Sequence, residues 1–140
     1  MNILISACLM GQNCKYNGQN NYNQTVMDFI KNHSIFPICP ELLGGLGCPR
    51  DCVEIVYGAF MTKNGRNVTE EFQKGVYIAM EKIKEKNIDL AILQSRSPTC
   101  GVRQIYDGTF QGILKQGEGL FAKKLREAGI TVKDCEEIIP

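Results

Sequence analysis

Seven cysteines, at positions 8, 14, 39, 48, 52, 100 and 135, are the most chemically suggestive feature of this 140-residue chain. An odd count cannot close a disulfide framework. Met1-Asn2-Ile3-Leu4-Ile5 runs into Ser6-Ala7-Cys8 without a basic region or a long apolar core, so it reads as a first strand and not as a secretory signal. The expectation is a cytoplasmic protein, in which reduced thiols serve metal binding or catalysis before cross-linking. Cys135 is read as a small buried hydrophobe. The single histidine, His33, falls at the end of a predicted helix, where a surface capping role suits it. Neither Gly-x-x-x-x-Gly-Lys nor Gly-x-Gly-x-x-Gly occurs, so no phosphate-cradling loop is expected. Thiolates and carboxylates remain as the groups able to do chemistry.

Which thiols can meet depends on the elements that carry them. Residues 3–7, 35–38 and 90–93 are short apolar runs without clean alternation, the pattern of parallel strands covered on both faces. Residues 130–133, after Gly129, give a weaker fourth strand. Pro37 is awkward in the second, because proline cannot donate to a ladder. Three helices separate the strands. One opens with a side-chain cap near Thr25 and offers Val26, Phe29 and Ile30 to the core. A longer one starts near Thr69, with Glu70 and Glu71 in its first turn and Phe72, Val76, Met80 and Ile83 as a packing stripe. The last runs from about Gly119, with Phe121, Leu125 and Ala128 inward, and stops at Gly129.

This alternation predicts a single three-layer, Rossmann-like α/β domain over residues 1–140, with a short, mostly parallel sheet flanked by helices. Residues 44–67 are expected to form a long irregular segment, a length that in a small domain goes with function. In an open parallel sheet the carboxyl ends of adjacent strands face one crevice. Cys8 and Cys39 end the first two strands, and Cys100 follows the third by a few residues. The three should therefore share a cavity although no local motif joins them. The turns that carry them, Cys39-Pro40-Glu41 leading to Gly44-Gly45 and Ser97-Pro98-Thr99-Cys100-Gly101, expose backbone amides suited to stabilising thiolates.

The composition limits the partners. A net charge of +1 gives no electrostatic reason to expect nucleic acid or a membrane surface. No apolar stretch approaches the ~20 residues of a membrane span. The oligomeric state is left open.

The motifs also carry a resemblance. Ser6-Ala7-Cys8-Leu9, Lys15-Tyr16-Asn17-Gly18, Cys39-Pro40-Glu41, Gly44-Gly45-Leu46, Pro49-Arg50, Glu54-Ile55, Val68-Thr69, Ser97-Pro98-Thr99-Cys100-Gly101 and Ile105-Tyr106-Asp107-Gly108-Thr109-Phe110 occur in order over most of the chain. Together they resemble a bacterial domain-of-unknown-function family whose characterised members are thiouracil desulfidases of the TudS type. The resemblance implies a four-iron, four-sulfur cluster held by Cys8, Cys39 and Cys100, with one iron open to the sulfur of a thiolated substrate. Three positions depart from the family pattern: Lys15-Tyr16-Asn17-Gly18 stands for Arg-Tyr-Asp-Gly, Cys52 stands near a family proline, and Gln94 replaces a lysine. They bear on the substrate and leave the three ligand positions intact.

The chemistry is consistent with that resemblance. A thiocarbonyl sulfur is soft and prefers a soft metal site, where a Lewis acid polarises the carbon–sulfur bond. Water must then attack carbon, and a carboxylate must remove its proton. Glu41, two residues beyond Cys39, is the first choice of base; Ser97 is the nearest hydroxyl for orienting substrate or water. Asp107 is a third candidate, although Asp-Gly also makes an ordinary turn. The rival reading is a binding or structural module with zinc on Cys39, Cys48 and Cys52 together with Cys8 or Cys14. A thiol redox protein is disfavoured because no Cys-x-x-Cys occurs.

Overall fold

The computed structural model describes residues 1–140. Its centre is a four-stranded parallel sheet of β1 (Asn2–Ser6), β2 (Ser34–Ile38), β5 (Leu90–Leu93) and β8 (Thr131–Asp134), in the order β2-β1-β5-β8. β1 pairs with β2 with Ile5 opposite Pro37, and with β5 with Leu4 opposite Ala91. Pro37 is tolerated because β2 is an edge strand, where a missing N–H costs no second ladder. The helices are α1 (Gln24–Ile30), α2 (Pro40–Leu43), α3 (Thr69–Ile83) and α4 (Leu120–Glu127).

The two faces of the sheet are buried against different helices, which makes the predicted three layers. Ile3, Ile5 and Ile92 pack with Val26 and Ile30 of α1 on one face. Leu4, Ala91 and Leu93 pack with Val76 and Ala79 of α3 and Phe121 and Leu125 of α4 on the other. Leu4, Ile5 and Ile92 are completely shielded from solvent. Each such side chain contributes about 1.5–3 kcal/mol by leaving water. No helix is long and apolar enough to cross a membrane.

The details differ from the sequence reading in several places. Asn23, not Thr25, caps α1: its side chain accepts from the Val26 N–H at 3.0 Å, and Phe29 lies half-exposed instead of inward. Ala122 takes the buried place expected of Ala128. Residues 44–67 are not irregular throughout, because β3 (Val53–Val56) and β4 (Ala59–Thr62) form an antiparallel hairpin there. A second hairpin, β6 (Gln104–Tyr106) with β7 (Leu114–Gln116), follows the Cys100 turn.

Short α2 is seated directly on α3. A Cβ on Gly44 would lie 2.1 Å from the Glu71 carbonyl oxygen, and one on Gly75 would lie 1.9 Å from that of Pro40. Glycine at both positions lets the backbones touch. This contact sets the height of α2, and with it the position of Glu41, above the sheet.

Candidate active site

Each of the three cysteines singled out by topology is aimed by the backbone that follows its strand. Beyond β1 the chain enters a 3-10 turn, Ala7–Met10, that carries buried Cys8. Cys39 is the residue before α2, with Pro40 at the first helical position, where no N–H is needed, and Glu41 in the first turn. Cys100 ends a turn braced by Ser97, whose Oγ accepts from the N–H groups of Thr99 and Cys100, both at 3.0 Å. Cys8, Cys39 and Cys100 line one cavity of about 630 Å³, together with Glu41 and Ser97.

A fourth thiol belongs to the same wall. Cys14 is buried and lines the cavity, packed in one apolar cluster with Cys8 and Cys39. Hydrogen bonding from Cys14 is the main reason the Cys8 thiol is lowered to about 7, against an opposing cost of burial. The same donor is the main cause of the lowering at Cys39. Cys14 itself is raised, by its hydrogen bonds to Cys39 and Cys8 and by burial. Cys100, fully buried, is pushed well up by desolvation, which a hydrogen bond with Ser6 partly offsets. Cys14 carries no pattern in the sequence beyond its place in the loop after Cys8.

Glu41 is tied to both sides of the site. Its Oε1 accepts from the Thr99 hydroxyl at 2.9 Å, on the turn that carries Cys100. Its Oε2 accepts from the Arg50 guanidinium, whose side chain is only 8% exposed. Arg50 also donates to the carbonyl oxygens of Gly47 and Cys14, each at 2.9 Å. One carboxylate thus connects the loops of Cys14 and Cys100 to the helix that follows Cys39. Arg50 was present in the motifs, but its spacing from Glu41 gave no sign of the pair.

Other predicted residues are placed elsewhere. Asp107 is not part of the cavity lining; its Oδ1 accepts from the Thr109 N–H at 3.0 Å and hydroxyl at 2.6 Å, closing a turn. The alternative thiol set is not assembled. Cys48 lies outside the cavity wall and donates to the carbonyl oxygens of Asn13 and Lys15, at 3.1 and 3.0 Å, whereas Cys52 lines the cavity. No three or more His, Cys, Asp or Glu side chains converge closely enough to hold a single metal ion. Cys135 is buried outside the cavity lining, beside Ser95 at 3.4 Å. His33 pairs its Nδ1 with the terminal amine of Met1 at 2.9 Å and stacks on Phe29.

Comparison with known proteins gives relatives along nearly the whole chain. The chain is 36% identical to the uncharacterized protein YbbK of Bacillus subtilis (strain 168), over 97% of each chain. It superposes on the solved structure of a [4Fe-4S]-dependent thiouracil desulfidase, TudS, with a TM-score of 0.91 and 34% identity. That match covers 98% of this chain and 92% of the other. The family model for 2-thiouracil desulfurase matches residues 3–137. The chain therefore belongs to the 2-thiouracil desulfurase family.

Proposed function

We propose that the protein is a non-redox desulfidase that replaces the sulfur of a thiolated nucleobase, or a related thiocarbonyl compound, with oxygen and releases sulfide. The observation that carries this reading is one cavity wall bearing Cys8, Cys39 and Cys100 beside Glu41 and Ser97. An iron–sulfur cluster of the kind named for the solved relative fits this donor set. The donors are soft thiols, and they come from three separate elements around one cavity. Cys8, Cys39 and Cys100 would hold it. The chemistry a bound cluster supplies is soft Lewis acidity toward a thiocarbonyl sulfur at an iron without a protein ligand.

The remaining work falls to the chain's own side chains. Hydrolysis consumes one water and yields a carbonyl and hydrogen sulfide, so it needs no oxidant or reductant. Each Glu41 oxygen has one protein partner and retains a lone pair for a water proton. Ser97 spends its oxygen on two backbone N–H groups, which leaves its hydroxyl proton free to donate to substrate. Cys14 shares the cavity wall and the apolar cluster of Cys8 and Cys39, and its thiol would donate to those two thiolates. The test is anaerobic turnover of 2-thiouracil by iron-loaded protein. Uracil and sulfide released in equal amounts support the reading; a loaded protein that releases neither contradicts it.

A further inference from the structure

The run Tyr106-Asp107-Gly108-Thr109-Phe110 ends β6 and enters the β6–β7 loop, and the chemistry above does not use it. Its four loop residues are nevertheless pinned. Asp107 closes the turn onto Thr109. Gly108 has φ +94°, and a Cβ there would lie 2.5 Å from the Ile55 carbonyl oxygen, so only glycine lets the loop lie flat on β3. Glu54 of β3, 6% exposed, then accepts from two loop amides with one oxygen: Gly108 N–H at 2.9 Å and Phe110 N–H at 3.1 Å.

The clamp holds Phe110 in a costly conformation. Its φ is +57°, a region that a bulky side chain avoids and that persists only where the surroundings over-determine it. Core packing does not repay the strain, because Phe110 belongs to none of the apolar clusters. Phe110 instead lines the cavity of the cysteines, as do Tyr106 and Glu54. A buried carboxylate without an ion pair is thus spent on presenting one aromatic residue to that cavity.

We propose that Glu54 positions Phe110 as the stacking surface for the planar ring of the substrate, so that the ring is oriented before its sulfur reaches the thiol wall. The proposal rests on the desulfidase reading and adds the residue that selects a flat heterocycle. A phenyl face recognises a π system without hydrogen-bond demands. It binds ground and transition states alike, so its loss should appear in KM and not in kcat.

The experiment compares Phe110→Ala, Glu54→Gln and Glu54→Leu with the parent protein, all anaerobic and matched for iron content and far-UV circular dichroism. Phe110→Ala is expected to raise KM for 2-thiouracil about tenfold or more, with kcat within about threefold. Glu54→Gln keeps a carbonyl oxygen for both amides and should restore nearly parental KM, whereas Glu54→Leu should behave like Phe110→Ala. Binding of uracil, followed by saturation transfer to its ring protons in ligand-observed NMR, gives a readout independent of turnover. The transfer should be present in the parent and lost in Phe110→Ala. Sulfide release with unchanged KM and unchanged transfer in Phe110→Ala overturns the stacking role and leaves the desulfidase reading standing. Transfer that depends on Phe110 in a protein without turnover supports the ring site while the desulfidase reading falls.

Discussion

The two walls of the cavity are built differently. The thiol wall hangs from the carboxyl ends of β1, β2 and β5, strands locked in a parallel sheet with covered faces. The hairpin wall reaches the cavity through two-stranded pairs, joined to each other by Glu54 and by the contact of Gly108 with Ile55. In the first wall a residue's position follows from the whole sheet; in the second it follows from a few hydrogen bonds. Damage to the first should therefore be all-or-none, and damage to the second graded.

The largest effect is expected from the sheet-borne thiols. Cys8→Ala, Cys39→Ala or Cys100→Ala should each lose iron and sulfide release together, measured as iron per chain beside turnover, because three thiolates leave no spare ligand. Next comes Glu41→Gln, which can still meet Arg50 and Thr99 but cannot accept a proton. Its turnover should fall by about a hundredfold or more with iron retained. Its melting temperature should also drop, because the Arg50 side chain, 8% exposed, is left without its counter-charge. If the iron is lost as well, Glu41 belongs to the scaffold of the thiol wall and not to the chemistry.

Smaller effects sharpen the contrast within each wall. Cys14→Ala removes a hydrogen-bond donor to Cys8 and Cys39 but no ligand, so the cluster should still load. Iron loss to a chelator should be about tenfold faster, as for a lost outer-shell partner. Failure to load at all would make Cys14 a ligand. The smallest change is expected of Asp107→Ala, whose carboxylate touches only Thr109. Turnover should stay within about threefold. A hundredfold fall would move Asp107 into the mechanism.

The same contrast explains what was legible in the sequence. The strands of the sheet announce themselves as apolar runs, and the convergence of Cys8, Cys39 and Cys100 follows from strand order without any local motif. Even Pro37, which argued against a strand, is explained by an edge position that only the sheet order reveals. The hairpins were missed because β6 and β7 are three residues each and sit among glycines, too short for a period to register. Asn23 and Thr25 are both good caps, and the choice is made by backbone geometry and not by type. Cys14 and the Glu41–Arg50 pair lie on loops, where spacing carries no phase. Glu54 and Phe110 are far apart in the chain, and their pairing is visible only once β3 and the β6–β7 loop are side by side.

The central claim is that three thiolates on the sheet edge hold a cluster at which sulfur is removed hydrolytically. Its most direct test is anaerobic reconstitution of the full chain, followed by iron, zinc and acid-labile sulfide analysis and by turnover of 2-thiouracil on the same sample. The account predicts about four irons and four sulfides per chain, negligible zinc, and release of sulfide with uracil without any added electron donor or acceptor. A protein that takes up one zinc and no sulfide, or that binds the full cluster and turns over only with an added reductant, would contradict it.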